Sequence, residues 1–370
     1  MNKRKHLTIH LLFALLFILI SLALYYTITT FGAGSGSGKI KIGFILDGDI
    51  KDNGWNQSNA EGIFAARDNL DLELYIQDNI GDSETRLYET AKQMVAKGCR
   101  AIILSSGNFE EMMEKYSREF SDTTFFCNAS DAGVLNFVNY SSRIYQSRYL
   151  SGVIAGMMTE NNELGYIGAI PDAEGNRGIN AFALGVQSVN ADAKVHVIFT
   201  GSYSDRKKEI DAAEKLIGDY GCDIYTAHTN ANNTLETAIK HNAYYIGSHI
   251  PAGNPVELAS VDTDWEKVYT DLIREFIKGN IVNESCYWYG LDGNYVKLGS
   301  ISHLVPERVK YRVDSDRKRI IKGMDVFSNM IKDNKGNMIC RSGEIMPDIR
   351  LINDMNWYVR GVDVINEDDQ

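Results

Sequence analysis

From Lys39 onward the chain alternates short apolar or β-branched runs with longer stretches of amphipathic spacing. KIKIGFIL leads into a helix predicted from about Asn56 to Leu70, LELYIQ into one around Ser83 to Lys97, and AIILSS into one from Phe109 to Phe120, with TTFFCNA next. A second series starts after a helix predicted over Tyr145–Met158: GYIGAI, KVHVIFTG, DIYTAH and YYIGSH, each again followed by a helix-like segment. Repeated β-α is the sequence form of a right-handed parallel sheet covered by helices on both faces. The prediction is an α/β protein of two doubly wound parallel-sheet lobes.

The first thirty-odd residues break this pattern. Lys3, Arg4 and Lys5 precede an apolar run from Leu11 to about Phe31, long enough to cross a hydrocarbon core of ~30 Å at ~1.5 Å per residue. The basic flank stays cytoplasmic, which places everything after it outside. The run exceeds the apolar core of a usual cleaved signal, and the following GAGSGSG is a poor cleavage site, so it is read as an uncleaved anchor rather than a removed signal peptide. This divides the chain into a membrane segment (1–31) and a flexible linker (32–38). Two lobes follow, 39–143 completed by about 262–282 and 144–261 completed by about 283–362, and then an acidic tail, 363–370.

Composition narrows the partners. With 44% hydrophobic and 24% charged residues, the chain is neither disordered nor a multi-span membrane protein. Its formal net charge of −11, uninterrupted by any basic stripe, excludes nucleic acid as a partner. The five cysteines show no CxxC or Cys/His ligand spacing, so no metal is expected, and their odd number leaves at least one thiol without an intrachain partner.

Ligands of open α/β sheets bind beyond the carboxyl ends of the strands. Those ends are Asp47 to Asn56, Ser105 to Asn108, Asn128 to Asp131, Pro171 to Asn180, Tyr203 to Asp205, His228 to Asn230, and Ser248 with His249. The set is rich in Asn, Ser, Thr, His and aromatics, which suits a neutral, planar, hydrogen-bonding ligand better than a phosphate. Asp47, Trp55, Asn56, Ser106, Asn108 and His249 are candidate contacts from this list.

Several candidates carry two readings. Trp55, in DGDIKDNGWNQ, either packs under its helix or stacks on a ligand, and Asn56 caps that helix, contacts ligand, or does both. His228 and His249 lack a nucleophile and an orienting carboxylate, which favours hydrogen bonding over acid/base catalysis. Asp205, and likewise Asp262 and Asp264 ahead of Trp265, either cap helices or reach the cleft, and Asp262 and Trp265 are candidate contacts. GxSxG, HExxH, a Walker A loop and GxGxxG are all missing, so neither enzyme activity nor a cofactor is expected.

DGDIKDNGWNQ, RIYQSRYLSGVIAG, GINAFALGVQSVNADAKVHVIFTGSYSDRKKE, DIYTAHT and MNWYVRGV together resemble the basic membrane protein (BMP) family of ABC-transporter substrate-binding proteins, which includes purine-nucleoside receptors. The resemblance runs from about Lys39 to Val362. It implies the type I periplasmic-binding-protein fold, a Venus flytrap whose lobes, joined by a hinge, close on a small ligand without turnover. It also implies ligand contacts at Trp55 and Asn56, at Asn180 and Phe182, at Tyr203 and Asp205, and at His228 and Thr229. The chain departs from the family pattern at Asn230, at GSHIPAG and at Asp262, so a purine nucleoside, a free base and another heterocycle all remain open. The implied partners are a small heterocycle, an ABC permease, and the plasma membrane, reached through the N-terminal helix with the binding domain extracytoplasmic. A sensor that signals to a membrane receptor or kinase is the alternative.

Overall fold

The apolar runs of the first series become strands β1 (Lys41–Ile45), β2 (Glu73–Gln77), β3 (Ala101–Leu104) and β4 (Thr124–Asn128). Two more strands join them, β5 (Phe137–Ser142) and β11 (Cys286–Tyr289). The sheet runs β11-β5-β4-β3-β1-β2 with every pair parallel. The polar FVNYSS of β5 does not read as a strand, yet its position between β4 and β11 buries Asn139 and Ser141 inside the sheet. These details come from a computed structural model that describes residues 38–116, 118–129, 136–250, 253–283, 285–299 and 301–365. The apolar run from Leu11, and all of the linker except Gly38, lie outside the described residues.

The second sheet is built from β6 (Glu163–Gly168), β7 (Lys194–Phe199), β8 (Ile224–His228), β9 (Tyr244–Ser248) and β10 (Glu257–Thr263), flanked by β12 (Val296–Leu298) and β15 (Val362–Val364). Its order is β12-β10-β9-β8-β6-β7-β15, and only β12 runs antiparallel to its neighbour. Both sheets therefore contain the order second-first-third-fourth-fifth, in which the chain reverses direction beside the first strand. The crevice opens at that reversal.

Helices α1 (Trp55–Leu70), α2 (Glu84–Ala96) and α3 (Glu110–Glu114) belong to the first sheet. Helices α4 (Ile144–Met158), α5 (Ala173–Gln187), α6 (Arg206–Gly218) and α7 (Leu235–His241) belong to the second. The helix expected over Phe109–Phe120 ends at Glu114, beyond which Lys115 Nζ and the Tyr116 hydroxyl each meet Glu84 on α2 at 2.6 Å. Aspartates start several helices by accepting a backbone N–H three residues on: Asp172 from Gly175 (2.7 Å), Asp205 from Lys208 (3.1 Å) and Asp264 from Lys267 (3.1 Å). Helices α4 and α5 cross closely because Gly152 and Gly185 each lie where a Cβ would strike the other helix's backbone.

Among the described residues the chain passes between the sheets three times: at Arg143, at Asp264 and at Gly290. The second passage leads into α8 (Trp265–Lys278), which packs on α1, where the Tyr269 hydroxyl hydrogen-bonds the Asn59 amide oxygen. The passages are tied together. Thr263 Oγ1 donates to Ser142 Oγ at 3.0 Å, and Arg143 N donates to the Tyr289 carbonyl at 2.7 Å. After α9 (Glu307–Ile321), the hairpin β13 (Ile331–Lys332) and β14 (Met338–Cys340) and helix α10 (Asp348–Asn353) lead to β15 on the outer edge of the second sheet. No disulfide joins the cysteines, and Cys99, Cys127, Cys222 and Cys340 are buried thiols. Among the described residues no helix is long and apolar enough to cross a membrane, and no group of His, Cys, Asp or Glu is placed to hold a metal.

Candidate functional site

A cleft of about 850 Å³ opens between the carboxyl ends of the two sheets. From the first sheet it takes the turn after β1 (Asp47, Asp49, Asp52, Trp55, Asn56), the turn after β3 (Ser106, Asn108) and Asn128. From the second it takes Asp172, Glu174 and Arg177 after β6, Tyr203 after β7, His228 to Ala231 after β8, and His249 after β9. Six carboxylates (Asp47, Asp49, Asp52, Asp82, Asp172 and Glu174) face two arginines (Arg177 and Arg206) across this lining. Such a balance repels an anionic ligand and favours one that donates hydrogen bonds.

The first wall is organised by Asp52. Its carboxylate accepts the backbone N–H groups of Gly54 (2.8 Å), Asn56 (3.0 Å) and Gln57 (3.0 Å), together with Asn56 Nδ2 (3.0 Å). It satisfies the start of α1, where the N-cap, Gly54, has no side chain to do so. Asn56, 2% exposed, also accepts the Gly48 N–H at 3.2 Å, so its amide locks the turn while one edge borders the cleft. Asp47 lies below, its carboxyl raised above the ordinary range by burial despite hydrogen bonds involving Ser106, Gly48 and Asn56. Its Oδ1 is buried without a protein partner.

Trp55 stands half-buried at the head of α1. Its ring is edge-on to His249 (centroids 5.4 Å apart) and to Trp265 (5.3 Å). Its backbone N–H donates to the Asn230 carbonyl of the second lobe at 2.7 Å, beside an antiparallel bridge between Gly54 and Ala231. A Cβ on Gly54 would overlap that carbonyl, so only glycine lets the two loops meet. The lobes thus touch directly through backbone at one end of the cleft.

On the opposite wall, Glu209, fully buried, accepts Thr229 Oγ1 at 2.9 Å and Asn233 Nδ2 at 3.2 Å, which shapes the loop after β8. His249 Nε2 donates to the Thr229 carbonyl at 3.2 Å, leaving Nδ1 as an acceptor. Burial, seconded by the Arg148 charge, lowers the His249 pKa to about 4 and holds His228 well below its ordinary value. Both rings are neutral near pH 7, so His228 carries one donor and one acceptor while His249, its donor spent on Thr229, offers the acceptor. Tyr203, its hydroxyl pKa raised by burial, donates to Asp172 at 3.2 Å.

This arrangement can be set beside known proteins. A family model described as Bmp, ABC transporter substrate-binding protein PnrA-like, matches residues 39–330. The chain belongs to this family. It is 31% identical over 340 residues to a purine-binding protein of Brucella abortus (strain 2308), covering 90% of this chain and 95% of that one. It is 26% identical over 342 residues to a protein of Haloferax volcanii provisionally named an ABC transporter glucose-binding protein, covering 90% and 83%. Solved ABC-transporter solute-binding proteins from Conexibacter woesei and Aeropyrum pernix share the fold. The first has a TM-score of 0.64 at 20% identity, covering 77% of this chain and 97% of that one; the second has 0.66 at 16%, covering 80% and 93%. The Bmp family is one of solute-binding proteins, and the two-lobed periplasmic-binding-protein fold follows from it.

The Bmp-like cleft brings together Asp47, Trp55, Asn56, Ser106, Asn108, Tyr203, His228, Thr229 and His249. Five other expected contacts lie elsewhere. Asn180, fully buried, donates from Nδ2 to the Trp357 carbonyl (2.8 Å) and accepts the Val359 N–H (2.9 Å), so its amide is spent on the C-terminal segment. Phe182 is core, packed edge-on to Tyr166 where α4 and α5 cross. Asp205 caps α6. Asp262 and Trp265 border a separate cavity of about 630 Å³ that, among the described residues, shares only His249 with the cleft. Trp265, 3% exposed, stacks on Tyr269 and braces Trp55 from behind. Asp262, with its carboxyl pushed up to about 6 by burial, accepts the Ser260 hydroxyl.

Other lining residues were within reach of the strand-end rule, because Asp52, Asp172, Glu174 and Arg177 all follow β1 or β6. Nothing local marked them above their neighbours. Ile352 and Asn353 border the cleft from α10, and no sequence signal pointed there.

Proposed function

We propose that this protein is the solute-binding component of an ABC importer, taking a purine-related heterocycle into the cleft between its lobes. The observation that carries this reading is Trp55, an indole held at the cleft by Trp265 and His249 among neutral histidines and unfilled acceptors such as Asp47 Oδ1. A planar base stacks on the indole. Its ring N–H and exocyclic amine groups meet Asp47, Ser106, Asn108 and Asn128 on one side and Tyr203, His228 and His249 on the other. The 31% identity to a purine-binding protein across nearly the whole chain supports the same ligand class.

The bound ligand draws the lobes onto each other, and the closed form is what a permease reads. The apolar N-terminal run tethers the binding domain to the outer face of the plasma membrane. The cleft holds its ligand without chemistry, since neutral histidines with no nucleophile beside them have nothing to activate. Calorimetric titration with adenine, adenosine, guanosine and D-glucose tests the reading. Saturable binding of a purine with no change in its structure is expected. Binding of glucose alone would replace the purine by a sugar, and conversion of the purine to product would end the non-enzymatic reading.

A further inference from the structure

The family match ends at residue 330, yet the chain beyond it builds part of the cleft. Residues 331–365 fold as a hairpin, α10 and an edge strand, and Ile352 and Asn353 of that stretch border the cleft beside Asp172, Glu174 and Arg177. Three side chains of α5, all buried, hold it in place. Arg177 Nη1 donates to the Leu351 carbonyl (2.8 Å), Asn176 Nδ2 to the Met355 carbonyl (2.8 Å), and Asn180 clasps residues 357 and 359. The clamps at 351 and 355 flank Asn353 by two residues on each side, and the Leu351 and Met355 side chains are buried in the second lobe's core. At its other end α10 is anchored to the first interlobe passage by the paired hydrogen bonds of Arg143 to Asp348.

We infer that Asn353 is a specificity-determining residue of the cleft, set on a rigid wall that reads an N–H or O–H donor on the ligand. The neighbouring groups decide the chemistry. Arg177 is committed to Leu351 and lies over the Trp288 ring at 5.1 Å, while Asp172 accepts Gly175 N–H and the Tyr203 hydroxyl. The Asn353 amide oxygen and the Glu174 carboxylate are the acceptors left exposed on this border of the cleft. An exocyclic amine or a ribose hydroxyl satisfies them, whereas a bare aromatic edge would leave them unpaired, and unpaired polar groups are what reject an analogue. Because its neighbours are locked before the ligand arrives, Asn353 contributes with no backbone ordering cost beyond that of its own side chain.

This inference rests on the solute-binding reading, and the test separates the two. Wild-type protein and Asn353→Ala are titrated with adenosine, adenine and unsubstituted purine, and ligand carried through purification is measured in both by native mass spectrometry. Asn353 is exposed, so unliganded thermal stability should not change. The variant should bind the amine- or hydroxyl-bearing probe roughly 2- to 13-fold more weakly, as loss of one hydrogen bond implies, while purine is bound as before. Equal affinities of variant and wild type for every probe would overturn the inference. If wild type binds no purine at all, the ligand class is wrong. The occupancy of whatever molecule co-purifies then decides the wall: reduced in the variant it stands, and unchanged it falls.

Discussion

Trp55 and Trp265 meet edge-to-face, with ring centroids 5.3 Å apart and planes at 85°, although one borders the interlobe cleft and the other is buried behind it. The two tryptophans divide a single job. Trp265 fixes the orientation of an indole whose other surface borders the cleft.

Truncating each should therefore have different consequences. Trp55→Ala removes a stacking contact of about 1–3 kcal/mol and should weaken purine binding roughly 5- to 150-fold, with Trp55→Phe retaining much of it. Trp265→Ala should cost about 3–5 kcal/mol of stability, as a core aromatic does. Calorimetric titration beside thermal unfolding without ligand checks both, and a large stability loss for Trp55→Ala with unchanged affinity would make Trp55 core as well.

Gly54 should be intolerant of the smallest side chain. Gly54→Ala places a Cβ against the Asn230 carbonyl and so breaks the backbone contact between the lobes. Small-angle scattering with ligand should show the variant staying more open than wild type, with weaker binding and near-normal secondary structure by circular dichroism.

Asn180 should prove structural. Asn180→Ala leaves the Val359 N–H and the Trp357 carbonyl unpaired in a buried place, at about 1–3 kcal/mol for each group that stays unsatisfied. A lower unfolding temperature and faster proteolysis within residues 355–365 are expected. Purine affinity measured well below the unfolding temperature should change little; if affinity drops while stability holds, Asn180 is a ligand contact after all.

Two buried titrations pull stability in opposite directions with pH. His249 titrates near 4 in the fold, below its ordinary 6.5, so the unfolded chain takes the proton first. The stability this contributes is present above about pH 6.5 and is lost as pH falls toward 4. Asp262 titrates near 6 in the fold against 3.8, so its destabilisation builds as pH rises from 3.8 to 6 and is complete above that. His249→Gln should flatten the acid side of the stability profile. Asp262→Asn should gain stability over wild type above pH 6 and lose that advantage below pH 4. Unfolding temperatures from pH 4 to 8 would show both.

The alternation of apolar runs and amphipathic stretches was sufficient for the β-α order, because strand and helix periods are local properties of a few residues. It also located the cleft, since ligand crevices follow from strand direction: Asp47, Ser106 and Tyr203 stand past strand ends and His228 is the last residue of β8. Local pattern failed where burial was set by neighbours distant in sequence. FVNYSS became a strand because β4 and β11 enclose it, and Asn180 and Phe182 point away from the cleft because α5 packs against α4 and the C-terminal segment. The resemblance named residues but not the direction their side chains face. Trp265 became a brace rather than a ligand contact through its packing against Tyr269 and Trp55, residues from two different helices. Asn353 reached the cleft only because three α5 side chains, more than 170 residues earlier, hold its segment there. Hydrogen bonds and packing across such separations leave no period in the sequence, so those roles belong to the tertiary structure alone.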